Sequence, residues 1–408
     1  MTHYGRSPWL DQFPASRVPA YPRQRGPLTT DVVVVGGGLT GCATAYALAA
    51  SGARVALVEA ARVGQGNTAL SAGWISEDPG VPFGELEKAI GPRAARHAWQ
   101  SWRRAALDFA ALLRRLDVTC SLEKHPAVTL ARTLEHAAQL TRDQKSRRRA
   151  GLDASMLNAR AVWSDVAIGA TAGLRSKDGA TIDPYRACLG LAAAAAERGA
   201  LIFERTAVRR IRFGRRSVDV VTAGGTIRAA KVVIATGAPT PLFKGLRRHF
   251  WFRSSYLVLT ERVPAKTRAL LGRRATIVRD MAVPPDVVHR VRWIGDERLL
   301  VSGADSEEAP PRRRDKIIVQ RTGQLMYELS TLYPDVSGLQ PQYGWAADYA
   351  RTVDGLPYIG PHRNYPHHLF AFGDASHSAT GAYLASRILL RHCSEDLDSA
   401  ADAFSFNR

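Results

Sequence analysis

Residues Gly36-Gly37-Gly38-Leu39-Thr40-Gly41 form a G-x-G-x-x-G run. Glycines at this spacing let backbone N–H groups close around a pyrophosphate. Gly36 permits the tight turn, Gly38 lets the main chain approach the phosphates, and Gly41 lets a helix pack on a strand. Leu39 and Thr40 open that helix, whose first N–H groups are unpaired and point at the anion. Glu59 stands at the distance, roughly 20 residues on, where an acidic side chain accepts hydrogen bonds from both ribose hydroxyls. A lone G-x-G-x-x-G is weak evidence, so its surroundings must decide.

Those surroundings fit. Asp31-Val-Val-Val-Val35 is a short β-branched run suited to a buried parallel strand, and the glycines follow at once. Cys42 to Ser51 is alanine-rich and reads as a tightly packed helix, and Arg54 to Glu59 reads as the next strand. Together they make one βαβ unit in about 30 residues. NAD and FAD both fit such a unit. Two later segments favour FAD. Lys231-Val-Val-Ile-Ala-Thr236-Gly237 repeats the strand-then-glycine pattern, and Leu369-Phe-Ala-Phe-Gly373-Asp374 sets an acidic residue after a strand and a glycine. No second G-x-G-x-x-G for NADPH follows.

On these motifs the chain resembles the D-amino-acid-oxidase-like FAD-dependent oxidoreductases, from about Thr30 to His392. This is the group holding glycine oxidase, sarcosine oxidase and γ-glutamylputrescine oxidase. Glu59-Ala60-Ala-Arg62, with Gly66 and Ser71-Ala72-Gly73, looks like the family's second FAD loop, reaching pyrophosphate and flavin. Val208, after Glu204-Arg-Thr-Ala, matches the residue whose backbone holds the adenine. The segment from Tyr343-Gly-Trp345 to Ile359-Gly360 resembles the late glycine-proline segment over the flavin. His377-Ser378-Ala379-Thr380-Gly381 falls where the last loop meets the isoalloxazine at a helix N-terminus. The implied fold is α/β, a Rossmann-like FAD-binding domain of the glutathione-reductase type with an inserted antiparallel-sheet substrate domain. The positions that carry a covalent flavin in some relatives are Leu70 and about Ala347 here. Neither can form the bond, so the FAD is expected to be non-covalent.

The resemblance also implies a reaction. Hydride passes from the carbon beside a neutral amine nitrogen to the flavin, and the resulting imine hydrolyses. The cofactor supplies the difficult chemistry, so no lone general base is required. Amino-acid-binding relatives clamp the carboxylate with an arginine four residues after the late tryptophan; Tyr349 stands there. That departure leans towards the amine-oxidising branch, with Arg351 as a substitute clamp. Trp345 and Tyr349, and less so Tyr256 and Trp74, are candidates for an aromatic cage or for packing at a domain interface. His377 is a candidate flavin or substrate contact or a helix cap. Oxygen or another acceptor would reoxidise the flavin; the strand Arg298–Gly303 holds no lysine that could activate oxygen.

The 408 residues suffice for two or three domains. The expected division runs as an arm over 1–29, an FAD-binding domain from 30–85, 155–245 and 340–395, a substrate domain from 86–154 and 246–339, and a tail over 396–408. Glu85 to Leu116 reads as amphipathic helix, and Asp183-Pro184 as the N-cap and first turn of another. A net charge of +19 comes from 56 basic residues, 48 arginines and eight lysines, against 37 acidic ones. Scattered arginines without a nucleic-acid-binding module make a nucleic-acid partner the weaker reading. Two alternatives stay open, an enzyme acting on a modified tRNA nucleoside and a flavin-binding subunit of a larger dehydrogenase. Four distant cysteines, no apolar run long enough for a membrane span and no signal-like N-terminus point to the cytoplasm.

Overall fold

The computed structural model describes residues 1–273, 275–281, 288–295, 297–373, 379–396 and 399–408. The β-branched run becomes the strand Leu28–Val35, with Val33 and Val34 wholly buried. It lies between Val55–Val58 and Thr226–Gly237, parallel to both. Leu201–Phe203 adds a parallel edge, and His368–Phe372 pairs parallel with Thr226–Gly237 on the other side. Val208–Phe213 and Val218–Thr222 extend this sheet antiparallel. The helix Leu39–Ala50 is buried almost all round, packed on Pro184–Glu197 and Ala379–Ser394. That explains its alanines, since small side chains let three helices approach closely. Asp183 caps its helix as expected, accepting from the N–H groups of Tyr185 and Arg186 at 3.0 Å each.

A nine-stranded sheet stands against this unit. Its order is His3–Tyr4, Pro341–Arg351, Trp251–Thr260, Arg298–Glu307, Val288–Ile294, Ile277–Met281, Ala127–Ala131, Ala172–Ser176 and Ser155–Asn158. Alternation gives it two apolar faces. Leu257, Leu259, Leu300, Tyr343 and Trp345 pack towards the dinucleotide side. Tyr256, Val258, Leu299, Val301 and Ala346 pack beneath the helix Arg314–Leu332, through Leu325 and Leu329. Trp74–Ile75, Ala180–Thr181 and Glu123–Lys124 form a small third sheet.

Three features depart from the expectations drawn from sequence. The strands Ser155–Asn158, Ala172–Ser176 and Pro341–Arg351 belong to the nine-stranded sheet, although the expected division puts their residues with the FAD-binding part. Their partners lie far away in sequence, and pairing of that kind leaves no local signal. Glu85 to Leu116 is two helices, Phe83–Ile90 and Pro92–Arg115, because Gly91 takes φ +83° and Pro92 starts the second. The stretch 1–29, expected as an arm apart from both domains, is tied into the fold. His3 and Tyr4 pair with Tyr343 and Gly344, and Trp9 is only 8% exposed.

Leu325 joins the helix Arg314–Leu332 to the sheet face turned away from the dinucleotide side. Leu325→Ala is expected to cost roughly 2–5 kcal/mol in denaturant unfolding while leaving cofactor content unchanged. Loss of cofactor without loss of stability would contradict the role assigned to this face.

Candidate functional site

The phosphate loop owes its shape to missing side chains. Gly36 has φ +108°, and a Cβ there would lie 2.6 Å from the carbonyl oxygen of Ala235. A Cβ on Gly41 would overlap the carbonyl oxygen of Gly36, so the helix can start this close to the strand only with glycine. Leu39 N–H donates to Thr68 Oγ1 at 2.9 Å, tying the second loop to the helix start. The Glu59 carboxylate accepts from Gly37 N–H at 2.6 Å and Ala61 N–H at 2.7 Å, which aims it across the loop.

A single cleft runs from these groups to the nine-stranded sheet. Of the cofactor residues expected from sequence, Gly36, Gly38, Leu39, Thr40, Glu59, Ala60, Gly66, Ser71, Val208, Thr236, Gly237, Gly373 and Ala379 line it. Gly41 lies behind the loop as a packing glycine. Arg62, Ala72, Gly73 and Thr380 stand outside the lining; Thr380 is buried, its hydroxyl donating to Ser76 O at 2.8 Å. Asp374, His377 and Ser378 lie outside the described residues. Asn67, Thr68, Thr206 and Trp102 also line the cleft, and the sequence motifs do not reveal them. Asn67, Thr68 and Thr206 carry a usable signal, since they sit just after Gly66 and just before Val208; Trp102 carries none.

The segment Leu70–Gly73 is held by its carbonyls. Trp345 Nε1 donates to Leu70 O at 2.9 Å, and Trp9 Nε1 donates to Ser71 O at 2.9 Å. Gly73 O accepts from Arg292 Nη1 at 3.1 Å and from Ile182 N–H at 2.9 Å. Arg292 is itself buried against the rings of Trp9 and Trp74, at 5.4 and 5.6 Å. Burial lowers its pKa to about 9, and the two ring faces and two carbonyls compensate its desolvated charge. Trp345 and Trp74, the cage candidates, are therefore buried supports beside the cleft, and Trp345 is 1% exposed. Tyr256 faces the other way, with Arg321 over its ring at 5.8 Å.

Tyr349 does line the cleft, and its hydroxyl donates to Asp305 Oδ2 at 2.6 Å. Burial and the adjoining Asp305 carboxylate raise its pKa well above the ordinary phenol value, so it stays protonated at neutral pH. Arg351 is exposed and does not line the cleft. On the same side of the sheet, Asp78 is buried against Arg279, at 2.7 Å. Burial pushes the Asp78 carboxyl up, but Arg279 and Arg147 outweigh it and hold the pKa below the usual range.

These residues fit an extended dinucleotide, with a glycine cradle for pyrophosphate, a fixed acid for ribose and a second loop beyond it. The profile of the FAD dependent oxidoreductase family, DAO, matches residues 31–391. The chain belongs to this family. Its fold is the α/β FAD-dependent oxidoreductase fold of that family. It is 26% identical to the probable oxidoreductase OrdL of Haemophilus influenzae, over 88% of this chain and 81% of that protein. With the gamma-glutamylputrescine oxidoreductase of Escherichia coli it shares 26% identity, over 92% and 87%. Glycine oxidase of Geobacillus kaustophilus is 28% identical over 92% and 96%, and its crystal structure superposes with a TM-score of 0.73 at 22% identity, covering 91% and 96%. Family membership makes the protein an FAD-dependent enzyme. Among the described residues, no helix is long and apolar enough to cross a membrane.

Gly36→Ala is expected to abolish retained flavin, read as the flavin-to-protein absorbance ratio after purification. Gly323→Ala, with nothing within 4 Å of the new methyl, should leave that ratio unchanged. Trp9→Phe keeps the ring and removes the bond to Ser71, so it should cost about 0.5–1.5 kcal/mol of holoprotein stability and reduce flavin retention. Full flavin retention in Gly36→Ala would sink this description of the loop.

Proposed function

We propose that this enzyme oxidises the C–N bond of a small amine or amino acid, using non-covalent FAD. The carrying observation is that one cleft is lined both by the phosphate loop and by Ala347-Asp348-Tyr349-Ala350 of the nine-stranded sheet. A dinucleotide anchored at Gly36–Gly41 would thus have its far end against that sheet, where a substrate can lie between flavin and protein. Glycine oxidase and gamma-glutamylputrescine oxidoreductase, similar over most of their lengths, are named for an amino acid and an amine.

Bound FAD supplies the two-electron acceptor for the C–N oxidation. The chain supplies position: the carbonyl-anchored Leu70–Gly73 segment on one side, the sheet face on the other. Tyr349, kept neutral and oriented by Asp305, offers a polar contact where the sheet lines the cleft. Non-covalent attachment is supported by the leucine and alanine at positions 70 and 347, where some relatives carry the bond. Oxygen or another electron acceptor completes the cycle.

Under anaerobic conditions, a panel of amines and amino acids is expected to bleach the flavin bands with one class of substrate. A flavin that no member bleaches would refute the reading. Acid precipitation should release the flavin into the supernatant; yellow colour left in the pellet would show a covalent bond.

A further inference from the structure

The stretch Ala403–Arg408 is built into the body of the protein. Ala403 and Phe404 belong to the apolar core around the dinucleotide helices, and Phe404 is wholly buried. Phe406 stacks on Tyr358 with ring centroids 4.8 Å apart, and the Arg408 guanidinium stands 3.9 Å over the same ring.

Arg408 spends every donor it has. Nε donates to Asp354 Oδ2 at 2.5 Å, and Nη2 donates to Asp354 Oδ1 at 2.9 Å. Nη2 also donates to Leu356 O at 2.6 Å, while Nη1 donates to Pro357 O at 3.0 Å and Ser405 O at 3.3 Å. A guanidinium carries five N–H groups, and each has an acceptor here. The side chains of Arg408 and Asp354 are only 6% and 10% exposed, so the pair is shielded from water. Asp354 holds the turn from within, its Oδ1 accepting from Leu356 N–H at 3.0 Å. The Thr352 hydroxyl donates to Leu356 O at 2.7 Å. Gly355, at φ +78°, leaves this turn pliant unless such bonds fix it.

The turn forms part of the cofactor cleft. Pro357 and Ile359 line it together with Ala350 of the nine-stranded sheet and Gly373. A Cβ on Gly373 would meet Thr352 Cγ2 at 3.1 Å and the carbonyl oxygen of Ala350 at 3.5 Å. The turn therefore adjoins the sheet end of the cleft, beyond the phosphate loop. Arg408 itself is not among the lining residues, so it acts through the carbonyls of Leu356 and Pro357. We infer that Arg408 is a positioning residue of the FAD site, setting the Asp354–Pro357 turn against the flavin-bearing half of the cofactor. The inference depends on the FAD site and not on the proposed C–N oxidation. Without the guanidinium, a shielded carboxylate and two carbonyls lose their donors, and the turn relaxes away from the cofactor.

Deflavinated protein and its variants are titrated with FAD, and with ADP, which matches the phosphate-loop half alone. Arg408→Met should raise the Kd for FAD at least roughly tenfold, the size expected when buried acceptors lose a donor. The Kd for ADP should not change, because Gly36–Gly41 and Glu59 are untouched. At saturating FAD, the visible circular dichroism of the flavin should differ from that of the wild type. Leu325→Ala, destabilised on the far face of the sheet, should show neither change. Arg408→Lys keeps the charge but loses the fork, so it should fall between; it decides the matter if the methionine variant does not fold. Unchanged FAD affinity and flavin dichroism in the Arg408 variants would overturn the inference. Equal weakening of FAD and ADP, or the same changes in Leu325→Ala, would overturn it too, since a general loss of stability would then account for both.

Discussion

The helix Leu39–Ala50 can begin where it does because Gly41 has no side chain to strike the carbonyl oxygen of Gly36. That contact sets the helix start directly beyond the strand Leu28–Val35, with its first N–H groups facing the cleft. Gly36, at positive φ, turns the chain between them against Ala235. Other parts follow from this placement. Thr68 reaches the helix start, Glu59 crosses the loop, and Pro184–Glu197 and Ala379–Ser394 pack on a helix built mostly of alanine.

The second constraint is the two-faced sheet. One face is closed by Arg314–Leu332, leaving the other for the dinucleotide side. Two indoles and a buried guanidinium hold the carbonyls of Leu70, Ser71 and Gly73, and they come from three distant segments of the chain. Fixing peptide planes by side-chain donors gives a loop the rigidity that a cofactor site needs. The arm supplies one of those donors, Trp9, and also joins the sheet edge through His3 and Tyr4. It therefore works as a strap across both parts of the molecule.

Features set by near neighbours are legible in the sequence. The glycine run, the β-branched strand and the Asp183-Pro184 cap all follow from residues within a few positions of one another. Features set by distant pairing are not. Alternation shows that Tyr256 and Leu257 face opposite ways, but only the packed sheet shows that Tyr256 turns from the cleft. The segment around Trp345 is legible as a wall of the site, yet the indole N–H is taken by Leu70 and the ring is a support.

The central claim is that this loop and cleft are shaped for a whole flavin adenine dinucleotide. Equilibrium titration of the deflavinated protein with FAD, FMN and NADH, by fluorescence, tests it most directly. The account predicts one FAD per chain, with FMN far weaker because it lacks the adenosine that Glu59 and Val208 would hold, and with NADH not competing. FMN binding as tightly as FAD, or NADH displacing it, would contradict the account.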